Sequence, residues 1–251
     1  MTDHQVRKVA LVTGGGSGIG RAAAEGFVER GYAAAILDIN EGAGREVETR
    51  LRERGECVFI RCDVADDENV RRAVEEIANV YGRLDAAFNA AAISGNEGKA
   101  TGDYDMESWN RVIAVDLTGI FSCMRYEIRQ MLKTGGGSIV NCASVGGLRG
   151  APLLPAYVAA KHGVVGLTKT AALEYARKGI RVNVVCPSTT ETGMIPPERR
   201  KEIMEAAAVK IPLGRVAQPS EIASAVMWLC DASASFVTGQ AIAVDGGRSA
   251  H

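Results

Sequence analysis

What this chain lacks narrows its class before any motif is read. Its 251 residues include only three histidines, His4, His162 and His251, two of them near the termini. None of its cysteines form C-x-x-C, and no Cys/His cluster has zinc-ligand spacing, which excludes the usual zinc and dithiol redox motifs. The six cysteines (Cys57, Cys62, Cys123, Cys142, Cys186, Cys230) are expected to be free thiols of a reducing compartment, with Cys62, Cys142 and Cys186 at or near the ends of apolar runs. Excess charge is lacking too: 29 basic against 30 acidic residues leave a net charge of -1. Without a long basic block, nothing marks the chain for nucleic acid or an anionic membrane. The arginine-rich stretch Arg45–Arg54 alternates with glutamates, as a solvated helix face does. No apolar run approaches membrane-spanning length, and Met1–Gln5 does not open a signal peptide, so a cytoplasmic location is expected. No linker, low-complexity tract or repeat divides the chain, which predicts a single domain over residues 1–251.

What is present is alternation. Apolar residues make up 47% of the chain, enough for a sizeable core. Strands are predicted over Lys8–Thr13, Ala33–Asp38, Cys57–Arg61, Asp85–Asn89, Ser138–Cys142, Ile180–Cys186 and Ala241–Val244. Most are continuous apolar runs, the pattern of strands covered on both faces. Helices are predicted over Gly18–Arg30, Glu41–Arg54, Asp66–Tyr81, Met106–Lys133, Pro155–Lys178 and Pro219–Cys230, with Pro155 suited to a first helical turn. Such alternation predicts the α/β class: one doubly wound parallel sheet with helices on both faces. The least regular stretch, 187–213, carries Pro187, Pro196, Pro197 and Pro212 around a polar helical segment, Glu198–Val209. It follows a strand end, where ligands bind in this fold, and is expected to be a substrate lid; a surface excursion without a role is the alternative.

Thr13 leads into Gly14-Gly15-Gly16-Ser17-Gly18-Ile19-Gly20, and a helix follows. Glycines there permit a tight turn and close approach of the backbone to a pyrophosphate facing a helix N-terminus. The spacing is T-G-x-x-x-G-x-G, different from the common G-x-G-x-x-G. The second strand ends at Asp38, whose carboxylate can accept ribose hydroxyls and would repel a 2′-phosphate. No basic residue stands at Ser17 or Ile39 to bind that phosphate, so NAD is expected in preference to NADP. Otherwise Asp38 only opens the next turn with Asn40. Asp66 suits the cap of the following helix, which leaves Asp63, with Val64, for a ligand.

Tyr157 and Lys161 are four residues apart, one helical turn, and leave the same face. An ammonium beside a phenol favours the phenolate and brings its pKa down from about 10 toward neutrality. That would let Tyr157 exchange a proton with an alcohol oxygen. The same spacing occurs on ordinary surface helices, with the lysine solvated and the ring packed. Ser144 stands thirteen residues earlier, just past the fifth strand.

Taken together, Thr13–Gly20, Asp38, Asp63-Val64, Asn89-Ala90-Ala91-Ala92, Ser144, Tyr157-x-x-x-Lys161, Asn183-x-x-x-Pro187, Val237–Gln240 and Asp245-Gly246-Gly247 resemble a short-chain dehydrogenase/reductase of the single-domain type. The resemblance runs from Lys8 to Gly247. It implies that Ser144 orients the substrate oxygen, Tyr157 is the acid/base, and Lys161 lowers the phenol pKa and holds the nicotinamide ribose. It also implies cofactor contacts from Gly14, Gly16, Ser17, Gly18, Ile19, Gly20, Asp38, Ile39, Asp63, Val64, Asn89, Ala90, Ala91, Pro187 and Thr192. It implies a homodimer or homotetramer, paired through the helices within Met106–Lys133 and Pro155–Lys178. The alternative is that both helices are buried within one chain.

Three positions depart from the family pattern. Ala92 replaces a glycine after the fourth strand, and Ser188 replaces a glycine after Pro187, adding bulk beside the nicotinamide. Asp116 stands where the family carries an asparagine in a proton relay. Ionised, it would favour the charged lysine and oppose phenolate formation at Tyr157, which places it with the catalytic group. Expected pocket residues are Leu148, Ala151, Leu153, Leu154, Ser188 and the lid. They are mostly apolar, and no arginine stands ready for a carboxylate, Arg149 being the one exception to weigh. The predicted activity is NAD-dependent interconversion of a secondary alcohol and a ketone on a hydrophobic or cyclic skeleton. The rivals are an NADPH-dependent 3-oxoacyl thioester reductase and a non-catalytic dinucleotide-binding protein that kept the fold. His162 projects about 100° away from Lys161 and is not expected to be catalytic.

Overall fold

The computed structural model describes residues 7–95, 98–193 and 197–250; Met1–Gln5, Pro196 and His251 lie outside them. All seven strands enter one parallel sheet: β1 (Val9–Thr13), β2 (Ala33–Asp38), β3 (Cys57–Arg61), β4 (Ala86–Asn89), β5 (Gly137–Cys142), β6 (Ile180–Pro187) and β7 (Ala241–Val244). Their order across the sheet is β3-β2-β1-β4-β5-β6-β7, so the winding reverses between β1 and β4. Ligands in open α/β sheets bind beyond the carboxyl ends of the strands at such a reversal.

The apolar strands are explained by period-two alternation between two cores. Val9 and Leu11 of β1 and Ala35 and Leu37 of β2 face one layer; Ala10, Val12, Ala34 and Ile36 face the other. The first layer is covered by α3 (Asp67–Tyr81), α5 (Gly119–Met131) and α6 (Pro155–Tyr175) through residues such as Ile77, Met124 and Val164. The second is covered by α1 (Gly18–Glu29), α2 (Glu41–Arg52) and α8 (Pro219–Cys230) through Phe27, Leu51 and Val226. Asp66 caps α3 by accepting from the N–H groups of Glu68 and Asn69. α3 stops at Tyr81 as expected, because Gly82 is a left-handed C-cap (φ 72°), a conformation glycine takes without penalty.

The predicted helix Met106–Lys133 is interrupted. α4 (Met106–Ile113) passes into a π-helical turn, Ala114–Thr118, before α5 begins. Such turns insert an extra residue into the ladder and are common at functional sites. No Pro or Gly announces it within the turn, so hydrophobic periodicity could not find it. In the 187–213 stretch, a short turn at 197–199 leads into α7 (Arg200–Val209). The six cysteines are free; five are buried and Cys230 is partly exposed. Glu48 departs from the solvated face expected of Arg45–Arg54: it is buried, and its carboxylate accepts the Phe59 N–H at 3.1 Å. Among the described residues no helix is long and apolar enough to cross a membrane.

Candidate active site

A cleft of about 690 Å³ opens across the carboxyl ends of the strands. One end is built by the glycine loop. Gly14 and Gly18 have φ of 65° and 52°, which other residues adopt at a cost. A Cβ on Gly20 would lie 2.2 Å from the Gly14 carbonyl oxygen, so only glycine lets α1 start against the loop. Ser17, the N-cap of α1, makes no side-chain capping bond, so its first-turn N–H groups are left for a ligand. Asp38 lines the same end, and its two oxygens accept from the N–H groups of Gly16 and Asn40, both at 2.9 Å. A carboxylate offers about four acceptor positions, so ribose hydroxyls can still be received. Asp63 and Val64 line the wall, with Asp63 accepting the Ala65 N–H at 3.0 Å. These features fit a nicotinamide dinucleotide: a helix N-terminus for the pyrophosphate and a carboxylate for the ribose.

The other end gathers Ser144, Tyr157 and Lys161. Ser144 follows β5 and caps a short turn, its Oγ accepting the Gly146 N–H at 3.1 Å. Gly147 is required because a Cβ there would lie 2.7 Å from the Lys161 carbonyl oxygen. α6 starts at Pro155, and the small residues Ala156 and Ala160 let it pack closely beside Val112 of α4. Tyr157 is half-buried with its ring facing the cleft lining, while Lys161 is 1% exposed. The Lys161 ammonium lies 5.3 Å from the Tyr157 ring centroid and donates to the Cys142 carbonyl at 3.2 Å.

Behind Lys161 sits Asp116, on the π-helical turn and fully buried. Its Oδ2 is 3.1 Å from Lys161 Nζ, and its Oδ1 accepts the Ile93 N–H at 2.9 Å. Burial raises the Asp116 pKa and Lys161 opposes that. Burial also works against the Lys161 charge, but Asp116 and Tyr157 outweigh it, so the ammonium pKa is raised. The proton therefore stays on the lysine. The phenol departs from the sequence expectation. Burial raises the Tyr157 pKa, and Lys161 and the Ser144 hydroxyl only partly counter it. The sequence expectation left out this burial, which is the larger effect; Asp116 adds to it in the expected direction.

The remaining predicted residues divide. Ser17, Ile19, Ile39, Ala90, Ala91, Ala151, Leu154, Pro187, Ser188 and Thr192 line the cleft. Gly16 stands behind its wall, bonded to Asp38. Leu148 and Leu153 are exposed outside it, and Leu153 carries the positive φ (66°) of a strained turn. Ala92 lines the cleft and has no positive φ, so the backbone there does not demand a glycine. Ser188 folds its hydroxyl onto the Asp245 carbonyl at 3.1 Å. His162 is exposed and bonds the Val158 carbonyl. Ile203, within the expected lid, lines the cleft too; sequence reasoning missed Ile93, Arg111 and Arg248, which also line it and which nothing local in sequence marks.

Asn89 lies beneath the site. Its amide donates to Glu127 at 3.1 Å and Asn141 at 3.0 Å, tying β4 to β5 and α5. Asn89 Oδ1 and Glu127 Oε1 are buried acceptors without a partner. A protonated Glu127 would supply the donor this cluster lacks, and burial pushes its pKa up to about 8 from 4.5. Between those values the folded chain holds a proton that the unfolded chain releases, so stability falls as pH rises. Glu127→Gln is expected to remove up to about 1.4 kcal/mol per pH unit of that slope. Urea unfolding of both proteins from pH 5 to 8 measures it; parallel curves would contradict a neutral Glu127.

A family model described as enoyl-(acyl carrier protein) reductase matches residues 14–249. Cyclohexanol dehydrogenase of Acinetobacter sp. is 45% identical over 248 residues, 98% of this chain and 96% of that protein. Cis-4-hydroxycyclohexanecarboxylate dehydrogenase of Sinomonas cyclohexanicum is 40% identical over 252 residues, the full length of both. The solved structure of actinorhodin polyketide ketoreductase with NADPH superposes with a TM-score of 0.93 at 36% identity, covering 98% of each chain.

Proposed function

This chain belongs to the short-chain dehydrogenase/reductase family, whose members move hydride between a nicotinamide dinucleotide and a CH–OH group, and from that premise we propose that it oxidises an alicyclic secondary alcohol to the ketone with NAD. One observation carries the reading: Ser144, Tyr157 and Lys161 converge at one end of a cleft whose other end holds the glycine loop and Asp38. Similarity to dehydrogenases named for cyclohexanol and hydroxycyclohexanecarboxylate supports a ring substrate, as do the apolar side chains of Ala151 and Leu154 in the wall.

The bound nicotinamide would supply the hydride acceptor. Ser144 donates to the substrate oxygen and fixes its position. Tyr157 takes the carbinol proton during oxidation and returns it during reduction. Lys161 stabilises the phenolate and would bind the nicotinamide ribose; Asp116 holds Lys161 in place. The glycine loop and the α1 N-terminus would hold the pyrophosphate, Asp38 the adenosine ribose, and Asp63 and Val64 the adenine. Pro187 and Thr192 would flank the nicotinamide, with 187–213 as the lid over the ring. A cytoplasmic assembly of like chains belongs to the same reading, supported by Leu173 of α6 and Phe236, large apolar side chains left exposed.

NAD in preference to NADP rests on Asp38, since a 2′-phosphate placed beside a carboxylate is repelled. The experiment is turnover of NAD and NADP against cyclic and linear secondary alcohols, followed by absorbance of the reduced nicotinamide. The expected result is oxidation of cyclic alcohols with kcat/KM at least about tenfold higher for NAD. Asp38→Ser should narrow that ratio. An NADP preference in the unaltered protein would defeat the role given to Asp38; no turnover of any alcohol would defeat the activity.

A further inference from the structure

Arg248 lines the main cleft together with Ala151, Leu154 and Ile203, and it also lines a smaller pocket bounded by Arg149 and Lys210. Its position follows from the turn after β7. Gly246 and Gly247 have φ of 64° and 89°, and the Asp245 carboxylate accepts the N–H groups of Gly247 (2.9 Å) and Ser249 (2.8 Å). That leaves Arg248 partly buried, with Nη1 reaching Thr189 Oγ1 at 3.3 Å.

The guanidinium is poorly satisfied. Its Nε is buried without a hydrogen-bond partner, and no carboxylate forms an ion pair with Arg248 or Arg149 among the described residues. The nearby acid, Asp245, is already bonded to the backbone. Burial and the neighbouring Arg149 both act against the Arg248 charge, and Asp245 only partly compensates. An arginine is effectively always charged, so this half-buried positive cluster calls for an anion. A guanidinium presents two parallel N–H donors matched to a carboxylate.

We propose that Arg248, backed by Arg149, is a carboxylate subsite, and that the alcohol taken by this enzyme carries a carboxylate on the ring away from its carbinol carbon. The apolar wall of Ala151, Leu154 and Ile203 would hold the ring between the two polar ends. This specificity rests on the reading of the cleft as the site of an alicyclic alcohol. It departs from the sequence expectation, which saw Arg149 alone and favoured an uncharged skeleton.

Calorimetry on the full chain with NADH present tests the subsite without turnover. Cyclohexanecarboxylate should bind at least about tenfold more tightly than the isosteric cyclohexanecarboxamide, because a charge-assisted hydrogen-bonded pair is lost in the amide. Arg248→Met should abolish that preference, and Arg248→Lys should restore part of it. Acetate, which has the charge without the ring, should bind at least about tenfold more weakly than the ring acid. In kinetics, the preference for 4-hydroxycyclohexanecarboxylate over cyclohexanol should fall about tenfold in Arg248→Met, mainly through KM. If Arg248→Met does not fold, Arg149→Met carries the same comparison with a smaller loss. Equal affinity for acid and amide, or equal acid affinity in the unaltered protein and in a folded Arg248→Met, would overturn the proposal. Tight binding of acetate would leave only a general anion site and overturn the substrate assignment. Failure to oxidise any alcohol would sink the alicyclic-alcohol reading, while the binding comparison would still decide the subsite.

Discussion

Tyr157→Phe is expected to lower kcat for alcohol oxidation by roughly a thousandfold, within the range that a positioned acid/base contributes. The substitution removes one oxygen and leaves the ring that packs beside Val112, Ala156 and Ala160. Folding should therefore be preserved, and NADH should still bind with an affinity within about tenfold of the unaltered protein. Lys161 keeps its bonds to Cys142 and Asp116 in this variant, so the loss reports on the proton-transfer oxygen. Steady-state rates and NADH fluorescence titration make the measurement. A residual kcat above a tenth of the original would remove Tyr157 from the chemistry. Loss of NADH binding instead would make it a cofactor ligand first.

The second large effect is expected at Asp116, and it separates into stability and chemistry. Asp116→Ala leaves the Lys161 ammonium buried without its countercharge. Breaking a buried pair from one side costs about 3–5 kcal/mol. Urea unfolding should show that loss; a change below about 1 kcal/mol would mean that water or the Cys142 carbonyl suffices for the lysine. Asp116→Asn keeps the volume and removes the charge. The negative charge of Asp116 raises the phenol pKa and offsets the help from Lys161. Its removal should move the acid limb of log kcat/KM for alcohol oxidation to lower pH, because the phenolate base then forms at lower pH. For ketone reduction, which needs the protonated phenol, the alkaline limb should move the same way. An unmoved profile in a folded Asp116→Asn would show that Asp116 acts on Lys161 by position alone.

These two residues also mark how far the chain can be read without coordinates. Tyr157 and Lys161 were legible because helix periodicity fixes which side chains share a face over one turn. The glycine loop was legible because Gly14, Gly18 and Gly20 meet backbone demands that no other residue satisfies. Asp116 was legible as an oddity, but its partner was known only through the family resemblance. The distance to Lys161 depends on a π-helical turn that no residue pattern announced. The phenol pKa was misjudged because electrostatics read from sequence left out burial, the largest influence on Tyr157. Asn89 was expected at the cofactor; it is buried outside the cleft lining, bonded to Glu127 and Asn141, because β4 ends one residue before the wall of the cleft begins.

The sequence by itself determined the parallel sheet, since strands buried on two faces must be apolar at every position. The glycine loop, the Asp38 strand end and the Tyr157–Lys161 spacing were legible in the same way, because each rests on short-range geometry. Tertiary structure alone decided three things: that Asp116 and Lys161 meet at 3.1 Å with both side chains buried, that Glu127 is buried beneath Asn89, and that Arg248 turns into the cleft beside Arg149. Each depends on segments far apart in the chain meeting at one place. Burial and charge at such a meeting are properties of the packed fold, and no local pattern encodes them.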